Sequence, residues 1–136
     1  MSQQQGIDWQ HMLELAGPYP LEAFHFVREG LSYTAQRVHD DFDALDEHDR
    51  HISPQQLCLG LREFAIEKYG LLAGTVLNNW NITRSDDFGR IVFAMIDGGL
   101  MSKTPDDSMD DFRGVFDFAE AFDAKSLAAR IGHHNN

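Results

Sequence analysis

Between residues 21 and 45 apolar side chains return every three or four positions. Phe24, Val27, Leu31, Ala35, Val38 and Phe42 fall on one side of a helix. Gly30 weakens that helix by about 1 kcal/mol relative to Ala. Phe26 and Tyr33 lie seven apart on a second face. Two aromatic-bearing faces predict burial on both sides, by the rest of the domain or by a second copy of the chain. The far end, "HDDFDALDEHDRH", is dense in acid and predicts a solvated stretch.

The sharpest boundary is "SPQQ". Ser53 stands at N-cap, Pro54 at the first helical position, and Gln56 three residues on, able to reach back. Leu57, Cys58, Leu61, Phe64, Ala65 and Tyr69 then form an apolar stripe. Gly70 is the C-cap, because glycine enters the left-handed region at least cost. A shorter helix is predicted over 71–80, with Leu72, Val76, Leu77 and Trp80 inward. Thr83 or Ser85 caps the next one. Its stripe of Phe88, Ile91, Val92, Met95 and Ile96 has spacings 3, 1, 3, 1, and Gly98 and Gly99 end it. Asp86 and Asp87 suit the positive end of its dipole.

Beyond the glycines the pattern changes. Residues 100–103 and 112–118 read as strands, joined by an acidic loop over 104–111; Val115, Phe116 and Phe118 favour strand by propensity. The fold class predicted is therefore mainly α with a small C-terminal β-hairpin at about 100–118, a winged-helix-like helical domain. A plain helical bundle is the alternative. Residues 1–20 form an N-terminal arm, in which 8–15 suggest a short helix stopped by Pro18 and Pro20. Residues 21–123 make the domain and 124–136 a tail. The segment 119–131 allows a marginal helix.

Length and composition change the picture in three ways. The 136 residues, 43% of them apolar with ten Phe, suit one domain with a real core. No apolar run nears the ~20 residues that span a bilayer, the first residues are polar and Gln-rich without a signal-like core, and one Cys forms no internal disulfide. These features predict a reducing cytoplasm. The net charge of −11 counts against nucleic acid and against anionic membranes, since affinity for phosphate comes from Lys and Arg.

That charge collides with the winged-helix reading. In such a fold 85–97 is the recognition helix, and its outward residues would include Asp86, Asp87, Arg90, Ala94 and Asp97. Such a face lacks the Arg, Asn or Gln contacts that read base edges. Ordinary solvated acid is the plain interpretation. The functional one is a protein-docking face made of Arg90, Asp97, Asp106, Asp107, Asp110 and Asp111.

Chemistry is sparse. The segment 39–51 holds three His and six acids, but not at a known metal spacing. Setting Ile52 at the eighth place of a calcium loop puts Leu45 first, Arg50 sixth and Gln56 last, where carboxylate, glycine and carboxylate belong. Cys58 lies on an apolar stripe and predicts a buried structural thiol. His25 sits between Phe24 and Phe26 beside charged neighbours, the place of a hydrogen-bonded surface residue. No Ser-His-Asp order, phosphate loop or CxxC appears. The chain is expected to be neither an enzyme nor a holder of a cofactor or metal.

Three blocks carry a resemblance: "AFHFVREGLSYTAQRVH", "HISPQQLCLGLREFAIEKYGLLAGTVLNNWNI" and "DDFGRIVFAMIDGGLMSKTPDDSMDDFRGVFDFAEAFD". The chain resembles, over 18–123, an uncharacterised family of small bacterial proteins best known from planctomycetes and verrucomicrobia. The resemblance implies a single-domain bacterial cytoplasmic protein with no assigned activity and no catalytic residue to transfer. Gln56 stands where members often carry an acid, which further weakens the calcium idea.

The expectation is a non-enzymatic protein–protein interaction module, with a homodimer as one form. A nucleic-acid-associated regulator is the alternative; it needs Arg28, Arg37, Arg84, Arg90 and Arg113 on one face. A metal protein using His39, His48 and His51 is third.

Overall fold

The structure, a computed structural model, describes residues 10, 14, 17–38, 52–99, 101 and 108–134. Among them the chain is helical, with no strand. In order come α1 (Leu21–Val38), α2 (Pro54–Tyr69), a 3-10 turn (Gly70–Leu72), α3 (Ala73–Asn79), α4 (Ser85–Asp97), a second 3-10 turn (Met109–Phe112), α5 (Phe118–Ala121) and α6 (Ala124–His134). Among the described residues no helix is long and apolar enough to cross a membrane.

The start of α2 follows from its sequence. Ser53 Oγ accepts from the Gln56 N–H at 3.1 Å, and Gln56 Oε1 accepts from the Ser53 N–H at 2.9 Å. Pro54 loses nothing at the first turn, where its missing N–H has no helical acceptor. Gly70 ends the helix with φ 57°. Helix α1 packs along α2. Between them lie Phe24, Val27, Cys58, Leu61 and Ala65, all fully buried. Burial of a large apolar side chain such as Phe24 or Leu61 stabilises by about 1.5–3 kcal/mol. Phe26, the second aromatic face of α1, is covered within the chain. Its ring lies 5.3 Å from that of Phe64 and 5.6 Å from that of Trp80.

The predicted C-terminal β-hairpin, and with it the winged-helix-like architecture, is overturned. Residues 102–107 lie outside the described residues. Over 112–118 the chain forms the end of a 3-10 turn, an irregular passage and the start of α5. Three local devices prevent a strand. Asp111 Oδ2 accepts from the Ser108 N–H at 3.0 Å and winds the first turn. Gly114 takes φ 59°, which breaks an extended run, and Asp117 Oδ1 accepts from the Glu120 N–H at 3.2 Å to begin α5. Val115 and Phe116 stand side by side, so the two-residue alternation of a half-buried strand was never present.

Two further expectations fail. Leu72 is exposed rather than inward. Gly70 turns the chain into a 3-10 step, and the helical register restarts at Ala73; the buried residues of that helix are Ala73 and Leu77. On α4, the residues assigned outward include buried Asp87 and Ala94. Helix α4 is covered around most of its girth, as a central helix is. The helix expected over 8–15 and the acidic segment 39–51 lie outside the described residues, apart from Gln10 and Glu14.

Candidate functional site

At the start of α4 the capping oxygen comes from Asp87, not from Thr83 or Ser85. Asp87 Oδ2 accepts from the N–H of Thr83 (2.8 Å) and of Arg84 (3.0 Å). These N–H groups precede the helix and find no partner in its own ladder. Its Oδ1 accepts from the Tyr19 hydroxyl and from Arg90 Nη1, the latter at 3.4 Å. Tyr19 is buried, and burial followed by the Asp87 carboxylate pushes its phenol up to about 12. Asn81, in a left-handed conformation at φ 65°, donates Nδ2 to the Pro18 carbonyl at 2.9 Å. The end of the N-terminal arm is thus pinned at two points.

The same first turn holds the 108–117 segment. Ser85 Oγ donates to the Phe112 carbonyl (2.6 Å) and accepts from the Val115 N–H (2.9 Å). Asp86 Oδ1 accepts from the Gly114 N–H at 3.3 Å, and its Oδ2 pairs with Arg84 at 2.9 Å. Burial opposes the Asp86 charge, but Arg84 and the Gly114 amide outweigh it and hold the carboxyl below its ordinary range. Phe112 lies over Gly89. These groups have structural partners, which explains the acids of this turn without a ligand.

Of the six residues expected to form an acidic docking face, Arg90, Asp97, Asp110 and Asp111 are described. Arg90 is bound to Asp87. Asp97 is exposed at the far end of α4, two turns or about 10 Å from Arg90. Asp110 pairs with Arg113 at 3.0 Å, and Asp111 caps its own turn. Asp106 and Asp107 lie outside the described residues.

The cations are similarly engaged. Arg62 and Arg130 meet at Glu63, and Lys68 pairs with Glu29 at 3.5 Å. Arg37 stacks over Tyr33, 5.1 Å from the ring centre. Arg28 lines a shallow hollow with Glu29 and Ser32. Cys58 is fully buried as its stripe predicts, and burial followed by Asp86 pushes its thiol up to about 12, so it is not a thiolate at neutral pH. His39, His48 and His51 lie outside the described residues. Among the described ones no group of three or more His, Cys, Asp or Glu is placed to hold a metal.

Sequence reasoning missed a different surface. A cleft of about 670 Å³ opens where α1, α2, the Gly70–Leu72 turn and α6 meet. Tyr33, Ile66 and Gly70 give it an apolar side. Around them stand Arg37, Glu63, Glu67 and Arg130. Burial, then Glu67, pushes the Tyr33 phenol up to about 12. Burial opposes the Glu63 charge, yet Arg130 and Arg62 hold its carboxyl below the usual range. Next to Gly70, on the turn that walls the cleft, Leu71 and Leu72 are 59% and 62% exposed, the most exposed large apolar residues described. The available signal was Gly70 itself. A left-handed C-cap followed directly by two leucines leaves no room for both to join the next helix.

No family model matches the chain, and no curated protein and no solved structure matches it.

Proposed function

We propose that the chain is a non-enzymatic protein–protein interaction module of the cytoplasm, and that it docks through the Leu71–Leu72 turn and the cleft beside it. The exposed leucine pair carries this reading. Two adjacent leucines left in water on a short turn forgo a few kcal/mol of burial, at about 25 cal/mol per Å² of apolar surface. A contact that covers them recovers it. The cleft next to them falls within the roughly 300–1,000 Å³ of small-molecule sites, but those are lined mainly by apolar groups. Here the charged residues Arg37, Glu63, Glu67 and Arg130 surround the apolar side, the arrangement of an apolar centre with a polar rim.

The nucleic-acid reading has less support. Arg84, Arg90 and Arg113, three of the cations it needs, are each paired with a carboxylate. A carboxylate at each arginine opposes the phosphate neutralisation on which that affinity depends. The resemblance to small bacterial proteins adds no residue role to either reading.

Affinity capture of the tagged chain from its native cell extract, with and without nuclease, is the test. The expected result is a stoichiometric protein that survives nuclease and is lost from a Leu71→Lys, Leu72→Lys variant. Recovery that disappears with nuclease would sink the proposal in favour of the nucleic-acid reading.

A further inference from the structure

The partner of this surface follows from where the charge of the molecule is and is not balanced. We propose that the Leu71–Leu72 turn and its cleft form a two-fold contact with a second copy of this chain. The inference rests on the docking role given to that surface and names its occupant.

The chain carries 22 acidic against 11 basic residues. Two copies therefore repel over most of their surfaces, over a range of about 8 Å at physiological salt. The cleft is different. Its two arginines, Arg37 and Arg130, stand against two carboxylates, Glu63 and Glu67, so its described lining sums to zero charge. Beside it, Lys68 is matched with Glu29. A two-fold interface places the same patch against itself, so the patch has to be self-complementary. A patch bearing both signs meets that condition, because each copy offers cations to the carboxylates of the other. A strongly basic partner would find greater attraction at the acidic parts of the molecule. The apolar groups agree with this choice. Leu71 and Leu72 project from a turn next to the recess whose apolar side is Tyr33 and Ile66. One copy's leucines have a recess in the other to enter.

Arg130 and Glu63 stay paired within each copy, joining α6 to α2. Arg37 is the rim cation that meets no carboxylate among the described residues, its guanidinium resting on Tyr33. Among the described lining residues it is the cation left for a carboxylate of the other copy.

Sedimentation of the full chain between about 1 μM and about 1 mM tests this, a range covering weak to ordinary protein contacts. The weight-average mass is expected to rise toward twice that of one chain. Raising sodium chloride is expected to strengthen association, since salt screens the net repulsion while apolar contacts persist. A Leu71→Asp, Leu72→Asp variant is expected to bind itself at least ~10-fold more weakly, with an unchanged thermal melt because both side chains are exposed. A Tyr33→Ala variant gives a second reading from the recess side. A single-chain mass up to 1 mM overturns the inference, as does association that weakens with salt. A monomer that still captures its Leu71-dependent partner from cell extract overturns the second copy alone. Dimerisation untouched by the leucine and Tyr33 variants overturns both this inference and the docking role of the cleft.

Discussion

Two of the close approaches made at glycines differ in kind. In the first, α1 crosses α2 where Gly60 faces Thr34 and Gly30 faces Leu61. In the second, the irregular 108–117 segment crosses α4 where Gly89 faces Phe112. At the helix crossing each partner already satisfies its backbone internally, so the contact needs only shape. Thr34 even returns its hydroxyl to the Gly30 carbonyl of its own helix, at 2.7 Å. The irregular segment brings unpaired backbone groups to the contact. Ser85 and Asp86 supply partners for Phe112, Gly114 and Val115. The first contact is therefore a matter of volume, and the second of volume plus hydrogen bonds. Substitutions separate the two.

The largest effect is expected at the helix crossing. A Cβ on Gly60 would stand 2.7 Å from Thr34 Cβ and 2.6 Å from its Cγ2. Rotation about χ1 moves Cγ2 but leaves Cβ in place, so the helices have to part. Gly60→Ala is expected to cost about 3 kcal/mol, the upper part of the range for overpacking, despite alanine's better helix propensity. A urea titration measures it. A loss under 0.5 kcal/mol would show that this crossing is not tightly packed.

Gly89→Ala probes the second contact. Its Cβ would meet Phe112 Cγ at 2.7 Å and Cβ at 2.8 Å, the stem of the ring rather than its tip. The segment that carries Phe112 is irregular, so it can shift without breaking a helical ladder. An expected loss of about 2 kcal/mol follows, below that of Gly60→Ala. Hydrogen exchange distinguishes the sites: Gly89→Ala is expected to expose the Gly114 and Val115 amides locally, and Gly60→Ala to raise exchange globally. Equal, global exchange in both variants would erase the distinction.

Ser85→Ala leaves the volume contact and removes the hydrogen bonds. The Phe112 carbonyl and the Val115 amide lose the hydroxyl that served both. About 1–2 kcal/mol is expected, with faster exchange at Val115. Tyr19→Phe asks the same of the arm at the other side of Asp87 and is expected to cost about 1 kcal/mol, since the ring stays buried and only the hydroxyl goes. Unchanged stability in both would mean that the polar bonds of α4's first turn do not hold its neighbours.

The same contrast explains what the sequence discloses. Helices α1, α2 and α4 are written in their own spacing. The bounds of α2 can be read from Ser53, Pro54, Gln56 and Gly70, because caps act over three or four residues. The 108–117 segment is turned by its own Asp111, Gly114 and Asp117, but it is held on α4 by Ser85 and Asp86, about thirty positions away, and no local pattern announces that attachment. Its β-branched and aromatic residues suggested a strand by propensity, which expresses fit to a half-buried surface as much as backbone preference. That surface exists here, but α4 provides it. Leu72 failed for a smaller reason, the 3-10 step over Gly70–Leu72 that keeps it out of the helix beginning at Ala73. This error hid the candidate docking surface, since a leucine assigned to the core draws no attention to the cleft beside it. Several acidic residues have local structural tasks that the sequence did not announce: Asp87 and Asp111 are caps, Asp86 binds a loop amide, and Asp110 has its arginine.

The smallest effect is expected where α6 joins α2. Glu63 keeps its carboxyl below the ordinary range because Arg130 and Arg62 favour its charge more than partial burial opposes it. A carboxyl depressed in the folded state stabilises the fold at pH values above the unfolded carboxyl's own, about 4.3 for Glu. That contribution declines as pH falls through 4.3 toward the folded value. The pair is partly exposed, so its worth is at most about 1 kcal/mol. Glu63→Gln is therefore expected to lower stability slightly at pH 7 and to converge with the parent chain as the solution is acidified below 4. Leu127, fully buried, anchors α6 independently of the ion pair. Melting both proteins across this range decides the matter: a Gln variant more stable than the parent at pH 7 would mean that burial, not the two arginines, governs Glu63.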